Sequence, residues 1–121
     1  MENQATNHAP AFIQHILFVE TALCIIRRDI GSPIIIKQLA RQAGTNECTL
    51  KRMFKQIMNI SIYQYVLQLR MHKANQLLTN TQYKIKDIAI ECGYESFAGF
   101  VTTFRRYHGF TPGEARRPTG L

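Results

Sequence analysis

Apolar positions recur at the three-to-four-residue spacing of helices along most of the chain, and no alternating strand pattern of useful length interrupts them. Phe12, Ile16, Val19, Leu23 and Ile26 predict a first helix, which Gly31, Ser32 and Pro33 terminate. In IKQLARQA, residues 36 to 43, Leu39, Ala40 and Ala43 share one side, and Gly44 follows where a left-handed residue would close a short second helix. With Leu50 as zero on a helical wheel, Met53, Phe54 and Ile57 fall within about 60°, whereas Cys48, Lys51, Arg52, Lys55 and Gln56 lie at about 100° to 240°. A third helix over residues 46 to 58 thus has a core face and a basic outer face.

Asn59 can adopt the left-handed conformation that closes this helix, and Ser61 with Gln64 three residues on has the form of a capping box opening a fourth. Tyr65, Val66, Leu69, Ala74, Leu77 and Leu78 give the fourth helix an apolar side, and its roughly 18 residues would span about 27 Å, long enough for a spacer. After a polar patch at residues 79 to 84 the pattern repeats. Leu39, Ala40 and Gly44 match Ile88, Ala89 and Gly93; Leu50, Phe54, Lys55 and Asn59 match Phe100, Phe104, Arg105 and Gly109, one residue further out of step. Thr111, Pro112 and Glu114 form a second capping box where Ser61 stands in the first half.

The chain is therefore expected to be a helical duplication. Residues 1–10 read as a disordered N-terminal arm, 11–60 as a first helix-turn-helix subdomain, 61–80 as a linker helix, 81–117 as a second helix-turn-helix subdomain and 118–121 as a tail. The predicted fold is all-α, with two helix-turn-helix subdomains joined by a long linker helix, about seven helices in all. The motif follows from an Ala four residues before each turn glycine: a small side chain there lets the two helices approach closely and leaves the second free to enter a major groove.

Charge sharpens this picture. Residues 1 to 29 carry two basic and three acidic groups, and residues 30 to 121 carry thirteen and five, so the later part holds +8 and the first part −1, for a net +7. Polyanions are its natural partners. In the third helix Arg52 can fork onto guanine O6 and N7, Lys51 can reach the same acceptors, and Cys48 and Thr49 can make close contacts with base edges. Asn46, Lys55 and Gln56 suit phosphates. The corresponding helix over residues 96 to 107 is a poorer reader. With Phe100 as zero, Phe97, Val101, Phe104, Tyr107 and His108 point inward, leaving Ala98, Gly99, Thr102 and Arg106 outward with Thr103 and Arg105 at the flanks. Thr103, Arg105 and Arg106 are assigned to phosphates, and Glu95 to the entry of the helix.

Other chemistries find little support. Cys24, Cys48 and Cys92 are odd in number and widely spaced, which indicates neither a disulfide framework nor a zinc site and fits a reducing cytoplasm. His8, His15, His72 and His108 share no motif, and no convergent acid, base or nucleophile set appears, so no enzyme, metal or cofactor is expected. The apolar run at residues 23 to 26 is too short and too flanked by charge for a membrane span or signal peptide.

The tandem LARQAG–TLKRMFKQ and IAIECGYESFAGFVTTFRRYHGFTP, separated by QYVLQLRMHKANQLL, resembles the DNA-binding domain of AraC/XylS-type transcription regulators over about residues 11 to 117. The resemblance implies an all-helical, two-subdomain fold that binds bent double-stranded promoter DNA and usually activates transcription by contacting RNA polymerase; two reading helices in one chain lead to the expectation of a monomer on DNA, in the bacterial cytoplasm. It places base-reading positions on Cys48, Lys51 and Arg52 and on Phe97, Ala98, Gly99 and Thr102; the helical wheel turns all of these outward except Phe97. Asn59 stands where the family commonly has Gly, Ile62 where it often has Pro, and Ala115 where an aromatic is usual. With about ten residues before the first helix, the chain resembles the small stand-alone activators. The rival expectation is a helical protein–protein adaptor with only nonspecific DNA affinity, whose mark would be an exposed apolar patch.

Overall fold

The computed structural model describes residues 10–117. The predicted tail and all of the predicted arm except Pro10 lie outside the described residues. Those residues form seven helices and no strand: α1 (Ala11–Arg28), α2 (Ile36–Ala43), α3 (Glu47–Met58), α4 (Ile62–Asn80), α5 (Ile85–Glu91), α6 (Phe97–His108) and α7 (Pro112–Arg116). The all-α architecture and the helix count agree with the hydrophobic periodicity.

The chain gathers into two compact units. One joins the helix ending at Arg28 to Ile34–Tyr65; the other joins Asp29–Pro33 to the chain from Val66 onward. In the first, Val19, Ala22, Leu23 and Ile26 of α1 are buried with Ile36, Leu39, Ala40 and Ala43 of α2 and Leu50, Met53 and Phe54 of α3. Burying Leu50 or Phe54 completely contributes about 1.5–3 kcal/mol each. Tyr65 closes this core, packing edge-on against Phe54 with ring centroids 5.7 Å apart and accepting a 2.8 Å hydrogen bond from Arg27 Nε.

Two expectations fail here, for one reason. Phe12 and Ile16 stay exposed although they share the stripe of Val19 and Leu23, and Ile57 stays 44% exposed although it shares the stripe of Leu50. A wheel angle places a side chain around the axis but is silent on whether a neighbour reaches that far along it. At 18 residues α1 is about 27 Å long against about 12 Å for the eight-residue α2, so one end of α1 overruns its partner. Ile57 sits in the last turn of α3, where the same shortfall applies.

The second unit has its own core: Met71, Ala74 and Leu78 of α4, Ile88 and Ala89 of α5, Cys92, and Phe100 and Phe104 of α6. Cys92 is fully enclosed, and burial pushes its thiol up to about 11, far from the thiolate range at neutral pH. Brief alkylation of the native protein near pH 8 is expected to modify the exposed Cys24 and Cys48 and spare Cys92 until denaturant is added. Intact mass before and after unfolding reads this directly; three labelled thiols in the native state would contradict the packing of Cys92.

The helix ends follow their sequence signals. Asn59 is left-handed (φ 66°), and Ser61 Oγ accepts the Gln64 N–H at 3.1 Å. The second capping box is complete: Thr111 Oγ1 accepts the Glu114 N–H at 3.1 Å, and Glu114 Oε1 accepts the Thr111 N–H at 2.8 Å. That bond from the Thr111 backbone holds the Glu114 carboxyl below its ordinary range. Beyond it, Arg116 donates to the carbonyls of Leu78 (3.1 Å), Thr81 (3.2 Å) and Tyr83 (2.6 Å). Ala115, with no aromatic side chain to pack, is thus followed by a guanidinium that fixes the five-residue α7 through three backbone acceptors.

Candidate nucleic-acid interface

The duplication is written into the backbone bonds of the two turns. Gly44 (φ 93°) donates to Arg41 O at 3.1 Å and Thr45 donates to Ala40 O at 2.9 Å; Gly93 (φ 92°) donates to Ile90 O at 2.9 Å and Tyr94 to Ala89 O at 2.9 Å. Positive φ at both glycines lets the chain reverse while the orphan carbonyls of the preceding helix are satisfied. Ala40 and Ala89 are both buried beneath the turns, which is the close approach their size permits.

In the first unit Asn46 caps α3, its Oδ1 accepting the Thr49 N–H at 2.8 Å, so only its amide N–H₂ is left to meet a phosphate. Cys48, Lys51, Arg52, Lys55 and Gln56 are exposed and Thr49 is half-buried, above the buried Leu50, Met53 and Phe54. Lys51 Nζ lies 3.7 Å from Glu47 Oε1, one turn back, with both side chains about half exposed. A pair of this kind is worth only about 0.3–0.5 kcal/mol, so Lys51 is readily released to a base or phosphate.

In the second unit Ser96 Oγ accepts the Gly99 N–H at 3.0 Å and caps α6. Ala98, Thr102, Arg105 and Arg106 are exposed, and Gly99 and Thr103 are half-buried. Phe97 is 40% exposed, in line with the family resemblance and against the helical wheel. Tyr107 likewise stays exposed although the wheel turns it inward. Phe97 opens α6 and Tyr107 lies in its last turn, so both ends escape the cover that buries Phe100 and Phe104. His108 is half-buried, its ring 4.4 Å from that of Phe104 and its Nε2 at 3.2 Å from Met71 O.

Not every cation is available to a polyanion. Besides Arg116, Arg70 is held by carbonyls: its Nε donates to Ile30 O at 3.1 Å and its Nη2 to Ser32 O at 3.0 Å, with the guanidinium 5.6 Å from the Tyr94 ring centroid. Arg27 is held by the Tyr65 hydroxyl. Formal charge therefore overstates the cations free for an interface. No composition count could have found these three, because each depends on a partner at least 33 residues away. Among the described residues, no helix is long and apolar enough to cross a membrane.

Comparison with known proteins agrees with this geometry. A family model described as a helix-turn-helix domain matches residues 39–118. The HTH-type transcriptional activator RhaR of Klebsiella pneumoniae is 32% identical over 108 residues, covering 89% of this chain and 38% of that protein. The chain spans about a third of the length of curated relatives such as this one. A crystal structure of an AraC-type transcriptional regulator from Chromobacterium violaceum superposes with a TM-score of 0.75 at 31% identity, over 82% of this chain and 88% of that one. The DNA-binding domain of AdpA, crystallised with a target DNA, superposes with a TM-score of 0.75 over 84% of this chain and 97% of that one, a likeness that at 24% identity speaks to the fold. With two capped helices, each docked through a glycine turn onto a helix with a buried alanine, and with these matches, the chain belongs to the family of AraC-type DNA-binding domains.

Proposed function

We propose that the chain is a sequence-specific regulator of transcription, an activator, which inserts α3 and α6 into successive major-groove segments of a promoter and contacts RNA polymerase. The observation that carries this reading is the outer face of α3, where Cys48, Lys51 and Arg52 stand exposed directly over a fully buried Leu50 and Phe54. A helix anchored this firmly presents its polar groups in fixed directions, which base-edge recognition requires. Cys48, Thr49, Lys51 and Arg52 of α3 and Phe97, Ala98, Gly99 and Thr102 of α6 are the base-reading groups. Asn46, Lys55, Gln56, Thr103, Arg105 and Arg106 hold phosphates. With more donors on its outer face, α3 is the principal reader and α6 contributes shape and backbone contacts. The division 11–60, 61–80 and 81–117 makes each reader part of its own subdomain, and the chain acts as a monomer in the cytoplasm.

Selection from a randomised duplex pool tests the reading: the expected product is an asymmetric site with two separate segments, bound by one molecule with a steep salt dependence. On that site Arg52→Ala is expected to relax preference at one base pair and cost about 1–3 kcal/mol, whereas Arg105→Ala weakens all sequences alike. Equal, uniform losses from both would remove α3 from its role.

A second reading, the protein-binding adaptor, has one observation in its favour. Phe12, Ile13, Ile16 and Leu17 form an exposed apolar patch on α1, apart from the basic face of α3. A pool that yields no consensus, with binding that vanishes by physiological salt, would favour that reading.

A further inference from the structure

Beside the first reading helix lies a surface notch that the assignments above leave unused. It is lined by Lys37 and Arg41 of α2, by Thr45 and Asn46 of the turn, and by Glu47 and Cys48 at the start of α3. Lys37 and Arg41 are four residues apart, hence on one face of α2, and both are exposed. Among the described residues neither is paired with a carboxylate: the acid in the notch, Glu47, is turned to Lys51. Two cations that pair with no carboxylate, a hydroxyl and an amide with free N–H groups thus converge on one concavity whose single carboxylate, Glu47, lies 3.7 Å from Lys51.

The duplication supplies an internal control. At the same place in the second repeat the notch is lined by Ile90, Gly93, Tyr94 and Glu95 together with Gly31 and Pro33. Ile90 occupies the position of Arg41 and Lys86 that of Lys37, while Ser96 takes the N-cap position of Asn46 and Glu95 stands just before it, where the first repeat has Thr45. The turn geometry is the same, yet this notch offers a 65% exposed isoleucine and a carboxylate, a surface that repels phosphate. Of the two cations the second repeat keeps one, the exposed Lys86, and puts an isoleucine in place of the other, so the fold does not require the pair that the first repeat has.

We propose that Lys37 and Arg41, with Thr45 and Asn46, form a phosphate-holding notch that clamps the DNA backbone beside α3, a pair of cations that the second repeat, with Ile90 in place of Arg41, does not have. The inference rests on the reading of α3 as a DNA-reading helix. In helix-turn-helix docking, the N-terminal residues of the reading helix meet the base edges and the preceding helix crosses the backbone. A notch between α2 and the start of α3 then meets the strand at the rim of the groove. Lys37 and Arg41 fix the register in which Lys51 and Arg52 meet their bases, and they read no base themselves.

The test uses the selected duplex and a set of duplexes each carrying one uncharged methylphosphonate linkage. The native protein is expected to lose affinity at one or two linkages flanking the segment read by α3. The double variant Lys37→Ala/Arg41→Ile is expected to bind every sequence more weakly, to lose about 2 from the slope of log affinity against log salt, and to ignore those same linkages. Its base preference stays unchanged. Both side chains are exposed, and an unaltered circular dichroism spectrum and melting curve would confirm that the variant folds. A variant with the native slope and the native linkage profile would overturn the notch while leaving α3 as reader. A native protein that selects no duplex at all would overturn the reading of α3 and the notch together.

Discussion

Phe104→Ala is expected to cost the second unit about 3–5 kcal/mol. The ring is fully buried and is the hub of an aromatic group, with centroids 5.8 Å from Phe100, 4.4 Å from His108 and 5.9 Å from Phe110. Removing it deletes the transfer free energy of the ring and leaves a void bordered by Phe100 on the same helix, which a rigid helix cannot close. A unit of this size has little stability to lose, since small domains bury a smaller fraction of their surface and total stabilities run about 5–15 kcal/mol. Amide signals from α5 and α6 should collapse in dispersion, while those of α2 and α3 retain it. Chemical denaturation gives the magnitude; a loss below about 1 kcal/mol would mean that the core is not organised around Phe104.

The turn glycine of the second repeat should be nearly as sensitive, and for two separable reasons. Gly93 sits at φ 92°, where any side chain is strained by about 1–2 kcal/mol. A β-carbon there would also stand 2.8 Å from Cζ and 2.9 Å from Nη2 of Arg70, whose guanidinium is held by Ile30 O and Ser32 O and lies over Tyr94. Displacing it forfeits hydrogen bonds from a charged donor, worth about 1–2 kcal/mol at this partly exposed position, so Gly93→Ala should cost about 2–4 kcal/mol. In an Arg70→Ala background the same change should cost only the backbone strain. Gly44 provides the contrast: φ is 93°, but the nearest atom to an added β-carbon is Phe18 Cε1 at 3.8 Å, so Gly44→Ala should carry the strain alone. A cycle in which Gly93→Ala costs the same with and without Arg70 would show that the guanidinium yields freely.

Much of this protein is legible along the chain because its information is local. Periodicity of 3.6 marks six of the seven helices, Gly44 and Gly93 mark the turns, and Asn59, Ser61, Thr111 and Glu114 mark the ends by hydrogen bonds that span at most four residues. The outward turn of Cys48, Lys51 and Arg52 follows from the same local geometry. Even the duplication is a comparison of the chain with itself.

What tertiary structure alone decided depends on distance along the axis and on partners far apart in sequence. Phe12, Ile16, Ile57 and Tyr107 share buried stripes and stay exposed, because no neighbour extends to them. Arg27, Arg70 and Arg116 count as surface charge in the sequence, but in the fold they are spent on Tyr65, on Ile30 and Ser32, and on Leu78, Thr81 and Tyr83. The notch of Lys37 and Arg41 appears only once α2 has been folded back on the start of α3. Helix formation and capping are settled within a turn or two of the chain, whereas burial and the sharing of charge are settled by whichever surfaces the folded chain brings within reach.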